Sequence, residues 1–166
     1  QTPLIFCYKT PLLWIESILR DDVGFINRNG LTNYPDYHDK ELLVSNSSYT
    51  FSIPIAIDNW INFHIEWMKY IHRSNYVIMS QRKICDQPGA VSILANIENK
   101  LKMIKKGSQW LLFKDAVDYA NTQFNQDFEK RKSNYLQNKT TNLTNKHIEY
   151  INNKIPQEVI DFYEKE

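Results

Sequence analysis

Leu4-Ile5-Phe6-Cys7-Tyr8 is followed by Lys9-Thr10-Pro11 and then by the mostly apolar run Leu12-Leu13-Trp14-Ile15-Glu16-Ser17-Ile18. The first five residues predict a buried strand, and Pro11 suits a first helical turn because its missing N–H would have no partner there. The N–H groups at a helix start favour an anion, and Lys9 adds a full positive charge at the same place. The stretch therefore predicts a phosphate site where the strand meets the helix.

A second hydroxyl-bearing residue follows at helical spacing. Thr10 and Ser17 are seven residues apart, which places them on one helix face about 10 Å apart along the axis. A phosphate over that face would meet Lys9 and the Ser17 hydroxyl together.

The spacing of Lys9, Pro11 and Ser17 resembles a motif of the sulfotransferases that use 3'-phosphoadenosine 5'-phosphosulfate (PAPS). In that family a basic residue, an Asp or Asn and a Pro come first, and a Ser follows eight residues after the basic one. The resemblance implies that Lys9, Thr10 and Ser17 bind the 3'-phosphate of PAPS. Lys9 replaces the usual Arg, and Thr10 replaces Asp or Asn. Lysine neutralises a phosphate as a point charge without the planar fork of arginine, so we expect weaker and less directional binding.

The middle of the chain repeats the family's order of elements. Apolar spacing predicts a helix over residues 57–73, a buried strand over 75–80, a polar turn over 81–88 and a helix over 90–104. This order resembles the family's segment around its Arg-Tyr-Glu-Asp-Leu motif. Aligned on Pro88, the usual Arg and Tyr fall on Ser80 and Gln81, and the acidic pair falls on Arg82 and Lys83.

The C-terminal region resembles the family's closing segment, in which a basic stretch before a Tyr precedes two helices. The resemblance implies that Arg131 and Lys132 contact the nucleotide or a sulfated glycan, and the alternative is a solvated basic surface. Helices are predicted over residues 143–155, capped by Thr141 or Asn142, and from Pro156 to residue 163.

These elements predict an α/β fold, and the resemblance implies the P-loop-like sulfotransferase fold with an incomplete parallel sheet flanked by many helices. Residues 4–8 and 75–80 would be parallel strands, and residues 109–113 a further short extended piece. We expect one domain over residues 1–166. The family's phosphosulfate loop belongs before the Lys9 motif and is not in this sequence, so we expect the C-terminal part of a domain or a degenerate relative, inactive alone.

Composition limits the partners. The formal net charge is +1, which gives no broad field for nucleic acid. No run approaches the roughly 20 apolar residues of a membrane span, and we expect a cytoplasmic location, or the Golgi lumen if an anchor lies upstream. Cys7 and Cys85 form no metal or redox spacing, and both are expected to be reduced and buried.

Residues 21–56 are weakly periodic and predict a long loop. Such loops are often functional, and by resemblance Tyr34, Tyr37 and His38 would shape an acceptor pocket by stacking on a sugar or phenol. The alternative is a surface loop anchored by aromatic residues. A metal site at His38, Asp36 and Asp39 is not expected because nothing in the sequence supplies further ligands convincingly.

Transfer to an acceptor hydroxyl needs a general base, and Glu16, His38 and His64 are the candidates among which the sequence does not choose. The resemblance implies a sulfotransferase domain that moves a sulfuryl group from PAPS to a hydroxyl or amine of a glycan or small-molecule acceptor. One alternative is an inactive nucleotide-binding or protein-interaction module of the same fold. Another is an unrelated helical binding domain in which the helix after Lys9 is only a core helix.

Overall fold

The computed structural model describes residues 4–21, 31–32, 39–46, 48–71, 76–85, 87–100, 133, 136–137 and 139–164. Several predicted features lie outside these residues: the extended piece at 109–113, the basic pair Arg131 and Lys132, and the loop side chains of Tyr34, Tyr37 and His38. The chain forms two compact units. Unit 1 comprises Gln1–Lys9 and Ile71–Lys139, and unit 2 comprises Thr10–Tyr70 and Thr140–Glu166.

The described elements follow one another along the chain in this order: β1 (Leu4–Tyr8), α1 (Pro11–Asp21), a 3-10 helix (Lys40–Leu42), β2 (Leu43–Ser45), β3 (Thr50–Ser52), α2 (Ile53–Ile71), β4 (Tyr76–Ser80), α3 (Gln81–Ile84), α4 (Gln87–Lys100), α5 (Asn145–Lys154) and α6 (Gln157–Glu164). Helices predominate.

Unit 1 contains the predicted parallel pair. Strands β1 and β4 run parallel, with Leu4 opposite Tyr76 and Tyr8 opposite Ser80. Both strands lie within one residue of the predicted bounds. The α/β class with a small parallel sheet is therefore confirmed.

Strand β1 is buried on one face, which corrects the prediction of a buried strand. Phe6 and Tyr8 are buried, whereas Ile5 is 40% exposed and Cys7 is exposed. Side chains alternate between the two faces of a strand, so packing on one face leaves the residues between them in solvent. The prediction that Cys7 is buried is consequently wrong, and Cys85 is buried as expected.

One buried cluster of unit 1 lies between β4 and α4. Val77, Ile93 and Ile97 are buried together, with Met79 and Ile84 packed against them. The predicted polar turn at residues 81–88 instead contains α3 and the start of α4. Pro88 is compatible with this earlier start because the first turn of a helix does not need its N–H.

Unit 2 has a larger core around α1 and α2. Its buried members are Leu12, Ile15, Ile18, Leu19, Leu31, Val44, Phe51, Ile53, Ala56, Ile57 and Ile151. Helix α2 begins one turn before the predicted residue 57 because Ile53 and Ala56 extend its buried face. The Ser52 hydroxyl accepts a hydrogen bond from the N–H of Ile55 at 3.5 Å, which supports this start.

Part of the predicted loop at residues 21–56 forms regular secondary structure. Strands β2 and β3 form an antiparallel hairpin with Val44 opposite Phe51, and the 3-10 helix precedes it. The Asn46 side chain closes the turn by accepting hydrogen bonds from the N–H groups of Ser48 and Tyr49, both at 2.8 Å. Strands of three residues are too short to show a clear alternating pattern, so sequence periodicity missed them.

The two C-terminal helices form where they were predicted, with a different cap. Thr144 precedes α5, and its hydroxyl accepts a hydrogen bond from the His147 N–H. The prediction that Thr141 or Asn142 caps this helix is wrong. Helix α6 buries Val159 and Tyr163.

Candidate functional site

The carboxyl end of β1 leads directly to the predicted phosphate-binding cation. Tyr8 is 1% exposed and its partner Ser80 is 2% exposed, so the last residue of each strand is buried. Lys9 follows and is half-buried. Ligands of open parallel sheets bind beyond the carboxyl ends of the strands, which is where this lysine lies.

Helix α1 starts as the sequence predicts. The N–H of Trp14 donates to the Thr10 carbonyl at 2.8 Å, and this first helical bond makes Thr10 the N-cap residue and Pro11 the first helical residue. Thr10 is buried. The N–H groups of Leu12 and Leu13 precede this first bond, so the helix does not use them internally.

Ser17 lies on α1 and is half-buried. Its hydroxyl donates to the Trp14 carbonyl at 2.7 Å. A hydroxyl has one proton and two acceptor lone pairs, so donation to a phosphate would require this proton to turn away from the carbonyl.

Glu16 is buried and holds the chain before α5. Its carboxylate accepts hydrogen bonds from the Thr141 hydroxyl at 2.6 Å and the Asn142 side-chain amide at 2.7 Å. The backbone N–H groups of Thr141 and Asn142 add bonds at 3.2 and 3.3 Å. A general base at this position would first have to lose some of these four bonds.

His64 is buried on α2 in an aromatic cluster. Its Nδ1–H donates to the Trp60 carbonyl at 2.8 Å, since a carbonyl oxygen can only accept. The ring stacks on Trp60 with centroids 3.8 Å apart, and the Tyr163 ring packs edge-on at 5.0 Å. Burial lowers the pKa of His64 from 6.5 to about 4, partly opposed by the bond to Trp60. The imidazole is therefore neutral at pH 7.

Tyr163 completes this cluster by donating its hydroxyl proton to the His64 carbonyl at 2.9 Å. Burial raises the pKa of Tyr163 well above its usual value, so the phenol remains a donor at physiological pH.

A polar connection that the sequence did not predict joins the 3-10 helix to α5. The Nδ1 atom of His147 accepts from the Thr144 N–H at 3.2 Å, and Nε2–H donates to the Glu41 carbonyl at 2.8 Å. Lys146 bonds to the carboxylates of Asp39 and Glu41. Thr144 and His147 form a capping box, in which the third helical residue is usually Glu or Gln. Because histidine replaces that residue here, the sequence carries no signal of this capping box beyond Thr144 itself.

Asp39, one member of the metal cluster considered from the sequence, has a structural role. It accepts from the Glu41 N–H at 2.9 Å, and its hydrogen bond to Lys146 lowers the pKa of its carboxyl. Asp36 and His38 lie outside the described residues. Among the residues that are described, no three His, Cys, Asp or Glu side chains are grouped so that they could bind a metal ion.

Comparison with known proteins gives no relative. No protein-family model, curated protein or solved structure matches this chain. In the described part of the chain, none of the helices has the length and apolar character needed to cross a membrane.

Proposed function

We propose that this chain is part of a sulfotransferase domain of the P-loop-like fold. It would transfer a sulfuryl group from PAPS to a hydroxyl or amine of a glycan or small-molecule acceptor. Lys9, Thr10 and Ser17 would bind the 3'-phosphate of the donor. Arg131 and Lys132 would add contacts to the nucleotide.

The observation that carries the proposal is the junction between β1 and α1. A strand of a parallel sheet ends at Tyr8, a lysine follows, and a helix of 11 residues begins at Pro11. The motif predicts this order of strand, lysine and helix. The order suits a phosphate because the lysine is next in sequence to a helix start, whose N–H groups favour an anion.

The burial of the junction also supports a phosphate site. Lys9 is half-buried, so its charge acts in a medium of lower effective dielectric than water. An ion pair with a phosphate is worth more there than on an open surface, where solvent and salt screen it.

The proposed reaction is an in-line displacement at sulfur. The acceptor oxygen or nitrogen forms a bond to sulfur while the bond from sulfur to the bridging phosphate oxygen breaks. Adenosine 3',5'-bisphosphate leaves with the electron pair, and the acceptor's proton passes to a base. Glu16, His38 and His64 remain the candidates for that base, and the first and third are engaged in the hydrogen bonds described above.

The alternative is a catalytically inactive nucleotide-binding or protein-interaction module of the same fold. Such a module would keep the Lys9 junction and bind the bisphosphate without transferring a sulfuryl group. Incubation of the full-length protein with sulfur-labelled PAPS and mixed glycan and phenol acceptors separates these two functions, because only the enzyme labels an acceptor.

The binding test is a calorimetric titration with adenosine 3',5'-bisphosphate. Lys9→Ala should weaken binding by about 1.5 to 3 kcal/mol, because it removes a charge-assisted hydrogen bond to the phosphate. Lys9→Arg should retain affinity, since arginine presents a charged fork to the same group.

Two controls make the titration specific. Lys69→Ala removes an exposed lysine that pairs with Glu66 and should leave the affinity unchanged. Adenosine 5'-monophosphate lacks the 3'-phosphate and should bind wild type and Lys9→Ala equally. If Lys9→Ala binds the bisphosphate as tightly as wild type does, Lys9 is not part of the site.

A further inference from the structure

Two parts of the sequence that differ from the sulfotransferase motifs follow the carboxyl ends of the paired strands β1 and β4 in unit 1. Tyr8 and Ser80 are paired as the last residues of β1 and β4. Lys9, which replaces an arginine, follows Tyr8. Arg82 and Lys83, which replace an acidic pair, lie two and three residues after Ser80.

The cations Lys9, Arg82 and Lys83 are each only a few residues from the ends of the two paired strands. Neighbouring strands lie about 4.8 Å apart, and each further residue adds at most about 3.5 Å of backbone. The side chains of lysine and arginine are among the longest, so Lys9 after β1 and the cations of α3 after β4 can meet an anion placed beyond the carboxyl ends of the two strands. The sequence gives three positive charges within three residues of the paired strand ends.

The surroundings of these residues are compatible with ligand binding. Lys9 and Lys83 are half-buried and Arg82 is exposed, whereas the strand residues just before them are buried. Within the described ranges, no carboxylate lies within ion-pair distance of Lys83.

Charge balance gives a reason for cations in addition to Lys9. A phosphate monoester carries close to two negative charges at neutral pH. A single lysine supplies one positive charge and lacks the bidentate geometry of the arginine it replaces. A cation from α3, which directly follows β4, would compensate for that substitution.

We propose that Arg82 and Lys83 bind the same 3'-phosphate as Lys9, so that the ligand is a nucleotide with a terminal phosphate monoester on its ribose. This inference rests on the proposed function and adds to it a second set of phosphate-binding residues, at positions where the family motif carries acidic side chains.

The test compares the double variant Arg82→Ala/Lys83→Ala with wild type in titrations of adenosine 3',5'-bisphosphate and adenosine 5'-monophosphate. The variant should lose at least about tenfold in affinity for the bisphosphate, as expected for the loss of a charge-assisted bond, and less than about twofold for the monophosphate. Combined with Lys9→Ala, the losses should be non-additive because all three side chains act on one phosphate.

Lys100→Ala is the matched control within unit 1. The Lys100 ammonium lies 5.6 Å from the ring centroid of Tyr76, at the first residue of β4. Tyr76 is about 13 Å along the strand from Ser80, so removal of this charge should not change binding of either nucleotide. Melting temperatures of all variants establish that each is folded.

The outcomes separate the two proposals. If the double variant binds the bisphosphate as Lys100→Ala does while Lys9→Ala is weakened, this inference is overturned and the proposed function is retained. If the double variant weakens both nucleotides equally, Arg82 and Lys83 do not act on the 3'-phosphate and the inference is again overturned. If wild type binds no bisphosphate, the proposed function itself fails.

Discussion

At the scale of single residues, two buried polar side chains of unit 2, Glu16 and His64, have identified hydrogen-bond partners. Glu16 accepts four hydrogen bonds from Thr141 and Asn142, and His64 donates one to Trp60. A buried carboxylate is tolerated only when its desolvation is offset by such bonds. The structure thus gives each of these two catalytic candidates a role in stability.

Glu16→Gln tests the first role. The amide N–H₂ group would face donors from Thr141 or Asn142, so at least one of the charge-assisted hydrogen bonds to residue 16 is lost. We expect the free energy of unfolding to fall by about 1 to 3 kcal/mol. Urea unfolding followed by tryptophan fluorescence measures this. Glu66→Gln, which removes an exposed carboxylate paired with Lys69, should change the free energy by less than about 0.5 kcal/mol.

His64 should make stability depend on pH. The pKa of His64 is about 4 in the folded protein, where the ring is buried, and 6.5 in the unfolded chain, where it is not. The unfolded chain therefore binds the proton first as pH falls. Stability is therefore complete above pH 6.5 and declines as pH falls toward 4, by up to about 3 kcal/mol. Urea midpoints across this range measure the decline.

His64→Phe is the matched variant because it keeps a ring beside Trp60 and cannot titrate. Its stability should change less than that of wild type between pH 6.5 and 4. Equal slopes for the two proteins would show that His64 does not govern the acid response.

At the scale of elements, helix ends and short strands differ most from the sequence prediction. The strand β1, the start of α1 and the strand β4 were predicted because each has a continuous apolar run or a proline at a defined position. The cap of α5 was assigned to the wrong residue because Thr141, Asn142 and Thr144 all have suitable side chains. Their partners in three dimensions distinguish them: Glu16 engages the first two, and Thr144 caps the helix.

Thr144→Ala should therefore destabilise α5. It removes the hydroxyl that accepts the His147 N–H, and we expect a loss of about 1 kcal/mol in the free energy of unfolding. Thr144→Ser keeps the hydroxyl and should stay within about 0.5 kcal/mol of wild type. Denaturant unfolding of both variants measures the difference, and equal losses would argue against the cap.

At the scale of the whole molecule, the charges are almost balanced. The formal net charge of +1 gives no long-range attraction for polyanions, so binding of an anion must depend on local groups such as Lys9. The phosphate site is proposed on that basis. The division into two compact units, each with its own buried cluster, was not evident from composition or length.

Duplex DNA should consequently be a poor ligand. At about 0.15 M salt the protein should not retard a short duplex in a gel, because counterion release requires several clustered cations facing the phosphates. The same protein should still bind adenosine 3',5'-bisphosphate. Retardation of DNA at this salt concentration would show a basic surface that the net charge conceals.

The sequence by itself determined the parallel strands, the helix start at Pro11, and the positions of α2, α5 and α6, because these features follow from local apolar spacing and from the fixed backbone of proline. Only the tertiary structure decided that Cys7 is exposed, that Glu16 is bound by Thr141 and Asn142, and that the last residues of β1 and β4, Tyr8 and Ser80, are paired. These features depend on strand register and on contacts between residues far apart in the chain, and a local pattern carries no information about either.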